Sequence, residues 1–525
     1  LKKSNLKQTP PDKKWKHIDE PLKERLKKNT ISNIAYFVLT FPIMFIITPM
    51  ILKHVGKEAY GVWAIAGTVI AFLDFIGLQT PTALSVFIPK IDPKKNSGQI
   101  NELLNTLFVF YMAVAVITAA AYFCFKNTLI LSIFKVEGSL LNDARFVLTA
   151  SIVLYLINFV FVAYAYVAVG FNLFYPANML HIIIGWIRVA LMAAVLFLGY
   201  GIKGVAVVQA GSILMETLIL NVWMKIIYPP LEFNPFLFRF YRLKQLLGLS
   251  VKLFVTKMAS VVNYNIDKLV LGYLINPVVV AYYQIGAGVA KYVSAVPEMI
   301  GALSLVPAAS ELNSKHQHDK IFSLYSRINK YMFFMGVFIT AGILAMGKKF
   351  IFLWVGAGYD ASYNVMAVLS VAYCISLLGV PAVNILNGIE KVNSTMAVAG
   401  FTALLNAVLS FVLAKFYGIA GALAGTLVSM TAGSIAMYIL LYLHVKKFIN
   451  FFDVLIKPAI SAVIAAGSVY LLDMALSGGW VVFFGKASVF TAVYILSSFF
   501  VVKQFDWYDI DLIKGFIPFI KKKTQ

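Results

Sequence analysis

Cysteine is almost absent: the 525 residues contain two. Cys124 and Cys374 both sit inside apolar runs, so no disulfide framework organises this chain. Charge is scarce as well. Only 13% of residues are Asp, Glu, Lys or Arg, against about 25% in soluble domains. Acidic residues are the scarcer sign, 23 against 45 basic, which leaves a formal charge of +22. The six histidines are scattered and no His-Glu-x-x-His or Cys/His ligand spacing occurs, so no metal site is expected. A nucleotide-binding G-x-x-x-x-G-K-[ST] loop is missing too, and Gly485-Lys486-Ala487 is only a fragment of one. No G-x-S-x-G elbow is present, and the longest external connection, 126–145, is short for a catalytic domain. The reading is therefore of a protein that is not an enzyme and needs no cofactor. The first thirty residues are too polar to supply the apolar core of a cleavable signal peptide.

What the chain has in abundance is apolar sequence: 60% hydrophobic residues and a strongly positive mean hydropathy. The runs are long enough for the ~20 residues that cross a bilayer, and lipid allows only helices or closed barrels. The fold class expected is an all-α polytopic membrane protein of about 14 transmembrane helices. The spans read as 31–52, 61–86, 103–125, 147–169, 175–199, 204–227, 249–275, 279–307, 328–346, 364–387, 394–416, 419–444, 457–475 and 480–502. Ahead of them lies a basic arm, 1–30, with ten Lys or Arg and an interfacial helix over 21–28. An N-lobe over 31–228 and a C-lobe over 249–445 flank a linker, 229–248; two extra helices (446–503) and a tail (504–525) follow.

Lys and Arg concentrate in the connections 89–101, 225–244 and 311–330. The positive-inside rule then puts both termini in the cytoplasm. This distribution, with no basic soluble domain, argues for anionic lipid as the partner of the net charge and against nucleic acid.

The chain also repeats itself. Tyr200-Gly201-Ile202-Lys203-Gly204 returns as Tyr417-Gly418-Ile419-Ala420-Gly421, and Gly170-Phe171-Asn172 has its counterpart in Gly388-Ile389-Glu390. Six spans are thus duplicated, an even number, so the halves share one orientation about a pseudo-two-fold along the membrane normal. A chain carrying its own pseudo-dimer is expected to be a monomer.

Charge inside the spans marks the candidate site. The run 248–277 carries Lys257, Asn263, Asn265, Asp267 and Lys268. Each charge at the bilayer centre costs at least about 2.5–3.5 kcal/mol on an insertion scale and so faces protein or water. Lys257 and Lys268, three turns apart, point nearly the same way, with Ser260, Asn263, Tyr264 and Asp267 beside them. In the eighth span Gln284, Lys291, Ser294 and Glu298 form one stripe. Asp74, Arg188 and Glu216 lie in the second, fifth and sixth. Lys257, Lys291, Lys268 and Arg188 are candidates for gripping phosphate or carboxylate. Asp74, Asn263, Asp267, Glu298 and Glu216 are candidates for lining a polar cavity or binding a coupling ion, H+ or Na+; simple packing pairs are the alternative. Pro42, Pro49, Pro297, Pro307 and Pro381 can each kink a helix.

The segment 31–78, with Gly56-x-x-x-Tyr60-Gly61 and Leu73-Asp74-Phe75-Ile76-Gly77-Leu78, resembles the opening of Wzx-type polysaccharide (O-antigen) flippases. Asn265-Ile266-Asp267-Lys268-Leu269-Val270-Leu271-Gly272-Tyr273, followed by Tyr282-Tyr283, is similar to the start of that family's second half. The resemblance implies the multidrug/oligosaccharidyl-lipid/polysaccharide (MOP) fold, two six-helix lobes around a cationic cavity plus two helices. It implies transfer of undecaprenyl-pyrophosphate-linked oligosaccharide from the inner to the outer leaflet of a bacterial inner membrane. Membrane lipids, a glycan polymerase and a chain-length regulator are the further partners expected. A peptidoglycan-precursor flippase, a multidrug/cation antiporter on the same fold, and a scaffold or polymerase for glycan assembly remain the alternatives.

Overall fold

Hydrocarbon offers no partner for a backbone N–H or C=O, so every crossing must close its own hydrogen bonds. The computed structural model describes residues 22–77, 80, 84, 87–134, 138–506 and 509, and no strand occurs among them. Among the described residues fourteen α-helices have defined bounds: α1 (Leu22–Leu73), α2 (Ser97–Asn127), α3 (Leu141–Gly170), α4 (Phe174–Phe197), α5 (Gly201–Ile227), α6 (Phe240–Leu274) and α7 (Pro277–Ala290). They continue as α8 (Tyr292–Ser314), α9 (His318–Val355), α10 (Asp360–Ser376), α11 (Gly379–Gly388), α12 (Val392–Val445), α13 (Lys457–Ala475) and α14 (Trp480–Leu496).

Helices and crossings do not map one to one. α1 and α12, with 52 and 54 residues, would be roughly 80 Å long if straight, against a core of about 30 Å. Each folds back at a glycine. Gly56 has φ 79, ψ 177 and Gly418 has φ 60, ψ −136, conformations that side chains with a Cβ rarely adopt. Ten stretches among the described residues are long and apolar enough to cross a membrane. Counting α1 and α12 twice gives twelve, and the charged α6 and α7–α8 make fourteen. The protein is a multi-pass membrane protein.

Two compact units emerge. The first runs to Val261 and takes in Asn276–Ala281; the second is Val262–Ile275 with Tyr282 onward. In the first, an aromatic core fills the space between α2 and α3, with Tyr111 and Phe159 stacked at 4.2 Å. Asn29 of α1 caps α4 from a distance: its side-chain oxygen accepts from the Phe174 and Tyr175 N–H groups, and its amide donates to the Asn172 carbonyl at 2.9 Å. In the second unit α13 and α14 pack on α9 through Phe490, Tyr494, Phe334 and Phe338. The Tyr494 hydroxyl donates to the Phe334 carbonyl at 2.8 Å.

The sequence repeat is reproduced in backbone geometry. Asn172 and Glu390 have φ of 55 and 65, and Gly201 and Gly418 have φ of 55 and 60. The residue after each of the first pair donates back five positions, Leu173 to Ala168 and Lys391 to Leu386, both at 2.8 Å.

Several boundaries differ from the sequence expectation. The interfacial helix expected over 21–28 is no separate element: α1 begins at Leu22 and runs straight into the first span. The second span leaves α-helical geometry at Asp74–Gly77. The linker is irregular only to Phe240, where α6 starts, because Asn101 and Asn105 bind its backbone at Pro230, Glu232 and Asn234 and strap it along α2. The connection 311–330 shrinks to three residues as α8 and α9 extend past the expected ends. Pro42 and Pro49 leave α1 helical. Pro381 does break its span: lacking an N–H, it leaves the Leu377 carbonyl without its usual partner, and α10 gives way to α11 there. Span eight is interrupted at Lys291, six residues ahead of Pro297. Residues 1–21 and 510–525, most of the basic arm and of the tail, lie outside the described residues.

A polar clamp fastens the chain after α14. Asp509, 1% exposed, accepts from Lys330 and Tyr331 of α9, and exchanges backbone-to-carboxylate bonds with Asp506 at 2.9 and 2.8 Å. Burial alone pushes the Asp509 carboxyl up, but these donors outweigh it and hold it below its usual value. A depressed pKa stabilises above the unfolded value, about 3.9, and loses that contribution as pH falls through the folded one. Hydrogen exchange of the 503–509 segment, corrected for its intrinsic pH dependence, is expected to accelerate on acidification below about pH 4. Asp509→Asn should show the fast exchange already at neutral pH.

Gly56 and Gly67 both have open space where a Cβ would go, and only Gly56 has positive φ. Gly56→Ala should therefore cost about 1–3 kcal/mol, whereas Gly67→Ala should be neutral or gain about 0.5–1 kcal/mol. Thermal unfolding of the two variants in one detergent tests the difference.

Candidate functional site

Asp267 lies in α6 and is 1% exposed. Its partners come from α7 and α12. The Tyr283 hydroxyl donates to Oδ2, and so does Thr426 at 2.5 Å. Asn406 donates to the Asn263 carbonyl at 3.4 Å, and Ser410 to Asn406 Oδ1 at 2.8 Å. Asp267 Oδ1 is buried with no hydrogen-bond donor.

Glycine makes this cluster possible. A Cβ on Gly421 would lie 2.1 Å from the Leu413 carbonyl oxygen, and one on Gly425 2.6 Å from the Ser410 nitrogen. The two legs of α12 therefore touch backbone to backbone, as small-residue stripes allow between helices in lipid. That approach brings Asn406 and Ser410 of one leg against Thr426 of the other. The result is a nest of oxygens: carboxylate, three hydroxyls, an amide and the backbone carbonyls of Asn263 and Ala422.

One residue further along α6, Lys268 is half-buried and donates to Gln284 of α7 at 3.1 Å. Lys291, at the α7–α8 break, is within electrostatic reach of it. Lys291 is an exposed residue whose ammonium lies 5.3 Å from the Tyr292 ring centroid. Glu298 is half-buried near Tyr264, and the Ser294 hydroxyl donates to the Lys291 carbonyl at 3.3 Å. The stripe of span eight survives its interruption because the i→i−4 bonds run across it, Lys291 to Ala287 and Ala295 to Lys291, both at 3.1 Å. Lys268, Lys291, Asp267, Asn263 and Glu298 thus belong to one unit.

The remaining candidates belong to the other unit. Lys257 is exposed on α6. Asp74 is exposed and accepts from Tyr155 at 3.2 Å, with Tyr111 and Tyr166 near enough to feel its charge. Glu216 is buried and ion-paired with His181; Arg188 is half-buried within reach of Glu216 and Tyr36, its Nε without a hydrogen-bond partner. This pairing is the packing alternative for Glu216. Sequence reasoning missed His181, Tyr283, Asn406, Ser410 and Thr426. The Gly421-x-x-x-Gly425 spacing is the signal that could have shown the last three converging.

The described residues define an all-helical, multi-pass membrane fold with charged side chains placed along its spans. The inward closed conformation of the lipid II flippase MurJ is similar over 92% of this chain and 99% of its own, at TM-score 0.68 and 15% identity. An outward-facing multidrug resistance MATE transporter of the MOP superfamily aligns over 83% and 99%, at 0.58 and 13%. A MOP superfamily transporter from Pyrococcus furiosus, described as having a binding pocket of reverse polarity, aligns over 84% and 100%, at 0.55 and 13%. These likenesses are of fold. Residues 26–313, more than half of the chain, match the model of a family described as polysaccharide biosynthesis protein, and the chain belongs to that family. No curated protein sequence matches it.

Thr426→Val keeps the shape of the side chain and removes its donor to Asp267. A loss of about 1–3 kcal/mol is expected from the weakened carboxylate, with Thr426→Ser close to the parent. Thermal unfolding of the two variants separates hydrogen bonding from packing.

Proposed function

We propose that the protein is a flippase that moves an undecaprenyl-pyrophosphate-linked oligosaccharide from the cytoplasmic to the outer leaflet by alternating access. The observation that carries this reading is the pair Lys268 and Lys291, two ammonium groups within electrostatic reach of each other in a polysaccharide-biosynthesis chain. Like charges within reach of each other repel, and an anion between or beside them relieves that cost. A pyrophosphate is such an anion, and Lys binds it as a point charge. Gln284 orients Lys268, and Lys257 and Arg188 are further candidate phosphate contacts. A cavity for cationic drugs would favour the opposite sign.

Coupling is assigned to the oxygen nest. Asp267 Oδ1 is buried without a donor and every neighbouring group of the nest offers oxygen, which suits a proton on the carboxyl or a hard cation such as Na+. A bound ion would supply the charge that neutralises Asp267. Asp267, Thr426, Asn406 and Ser410 would hold it, drawing α6 and the two legs of α12 together. Asp74, in its ring of tyrosines, and Glu298 are the other carboxylates available for coupling. With both termini cytoplasmic by the positive-inside rule, the setting is the bacterial inner membrane, and a monomer suffices.

Lys268→Gln with Lys291→Gln should reduce glycan export at least tenfold at unchanged membrane abundance. In cells deleted for the protein, lipid-linked oligosaccharide should accumulate protected from an impermeant sugar-modifying reagent applied outside. Full accessibility outside would overturn the reading. Rescue of cells depleted of their lipid II flippase would instead favour the peptidoglycan precursor as substrate.

A further inference from the structure

The second unit holds a cavity of about 540 Å3 that shares no lining residue with the groups around Asp267, Lys268 or Lys291. It forms where the end of α9, the Gly356–Tyr359 turn, the start of α10 and the α13–α14 turn meet. In the orientation given above this is the outer side.

Its frame is fixed. Lys486 is 8% exposed, and its ammonium binds both the Asp473 carboxylate and the Leu476 carbonyl, the latter at 2.6 Å, so the α13–α14 turn is tied to α14. The opposite rim is bare backbone, with Gly356 and Gly358 at φ 95 and 81. Beside the cavity Phe350, Trp354, Trp480 and Phe483 pack ring against ring. Such an aromatic band marks the level of the membrane interface.

Three kinds of group face one space. Asp473 keeps its side chain 56% exposed despite its bond to Lys486, leaving acceptor capacity for hydroxyl donors. Phe352, Tyr363 and Phe483 supply flat apolar surface. Lys349 lies 5.4 Å from the Phe352 ring centroid and has no carboxylate partner among the described residues. The neighbouring pair Lys348–Asp360 is loose, at 3.8 Å, with both side chains about three-quarters exposed. Acceptors for hydroxyls, faces for C–H surface and a spare ammonium together match a sugar that carries a phosphate. A bare anion has no use for Asp473, and a neutral sugar has none for Lys349. The volume is within the ~300–1,000 Å3 of small-molecule sites.

We propose that this cavity is a second binding site, for a sugar phosphate, at the outer interface of the second unit. Its role as a station for the phosphorylated end of the glycan during release rests on the flippase reading; binding itself does not.

The full chain in nanodiscs of zwitterionic lipid is titrated calorimetrically with glucose 1-phosphate, glucose and inorganic phosphate, separately. Saturable binding of glucose 1-phosphate is expected at about millimolar Kd or tighter, with each of the other two at least tenfold weaker. Lys349→Gln, an exposed position, should weaken the complex about tenfold while leaving Tm unchanged, and Asp473→Asn should weaken it too. No saturable binding, equal binding of inorganic phosphate, or indifference to Lys349→Gln overturns the proposal. So does loss of binding when anionic phospholipid replaces the zwitterionic lipid, which would mark a headgroup site. Lys268→Gln with Lys291→Gln should leave this binding intact, so a failed flippase reading and a failed site remain distinguishable.

Discussion

The constraint behind every feature of this chain is that a backbone in hydrocarbon must satisfy itself. Helices do so along their length, which leaves chain reversals as the places where sequence has to be special. Residues with positive φ stand there: Gly56, Asn172, Gly201, Glu390 and Gly418, three of them glycine. Because a reversal is defined by so few residues, duplicated halves keep it when the apolar sequence between has drifted. That is why the repeat is visible in turns and invisible in spans.

Polar side chains then act as surrogate backbone. Asn29 closes the start of α4, and Asn101 and Asn105 take the bonds that the 230–234 segment would otherwise give to water. Towards the end of the sequence, Asp506 and Asp509 do the same after α14. Each of these is an Asn or Asp, the residues whose short side chains best imitate a peptide group. Their cost of burial is met by backbone that would itself have been stranded.

How much was legible follows from the same physics. The number of crossings and the all-helical class were readable because apolar run length is set by bilayer thickness. The kink at Pro381 was readable, since a missing N–H has a local effect. Extension of α6, α8 and α9 beyond the expected boundaries was not, because polar helix past the membrane has no hydropathy signature. In the site, Asp267, Lys268 and Lys291 stood out as charge in apolar sequence. Thr426, Asn406 and Ser410 did not: single hydroxyls and amides in a span are common, and only the close approach of the α12 legs gives these a shared target. Lys349 and Asp473 were hidden for the opposite reason, being ordinary charges at helix ends.

The capping of α4 by Asn29 has a consequence for how the protein is made. Asn29 is synthesised 143 residues before the Asn172 carbonyl that it binds. At elongation rates of about 5–20 residues per second, roughly 7–30 s pass between the two. The first helix must therefore enter the membrane with its Asn29 end unanchored and wait for the third and fourth before its register is set. This cap closes from a later segment back to an earlier one, and anything that holds the early helices loosely beside the exit of the insertion machinery during that interval serves it more than anything that packs them early.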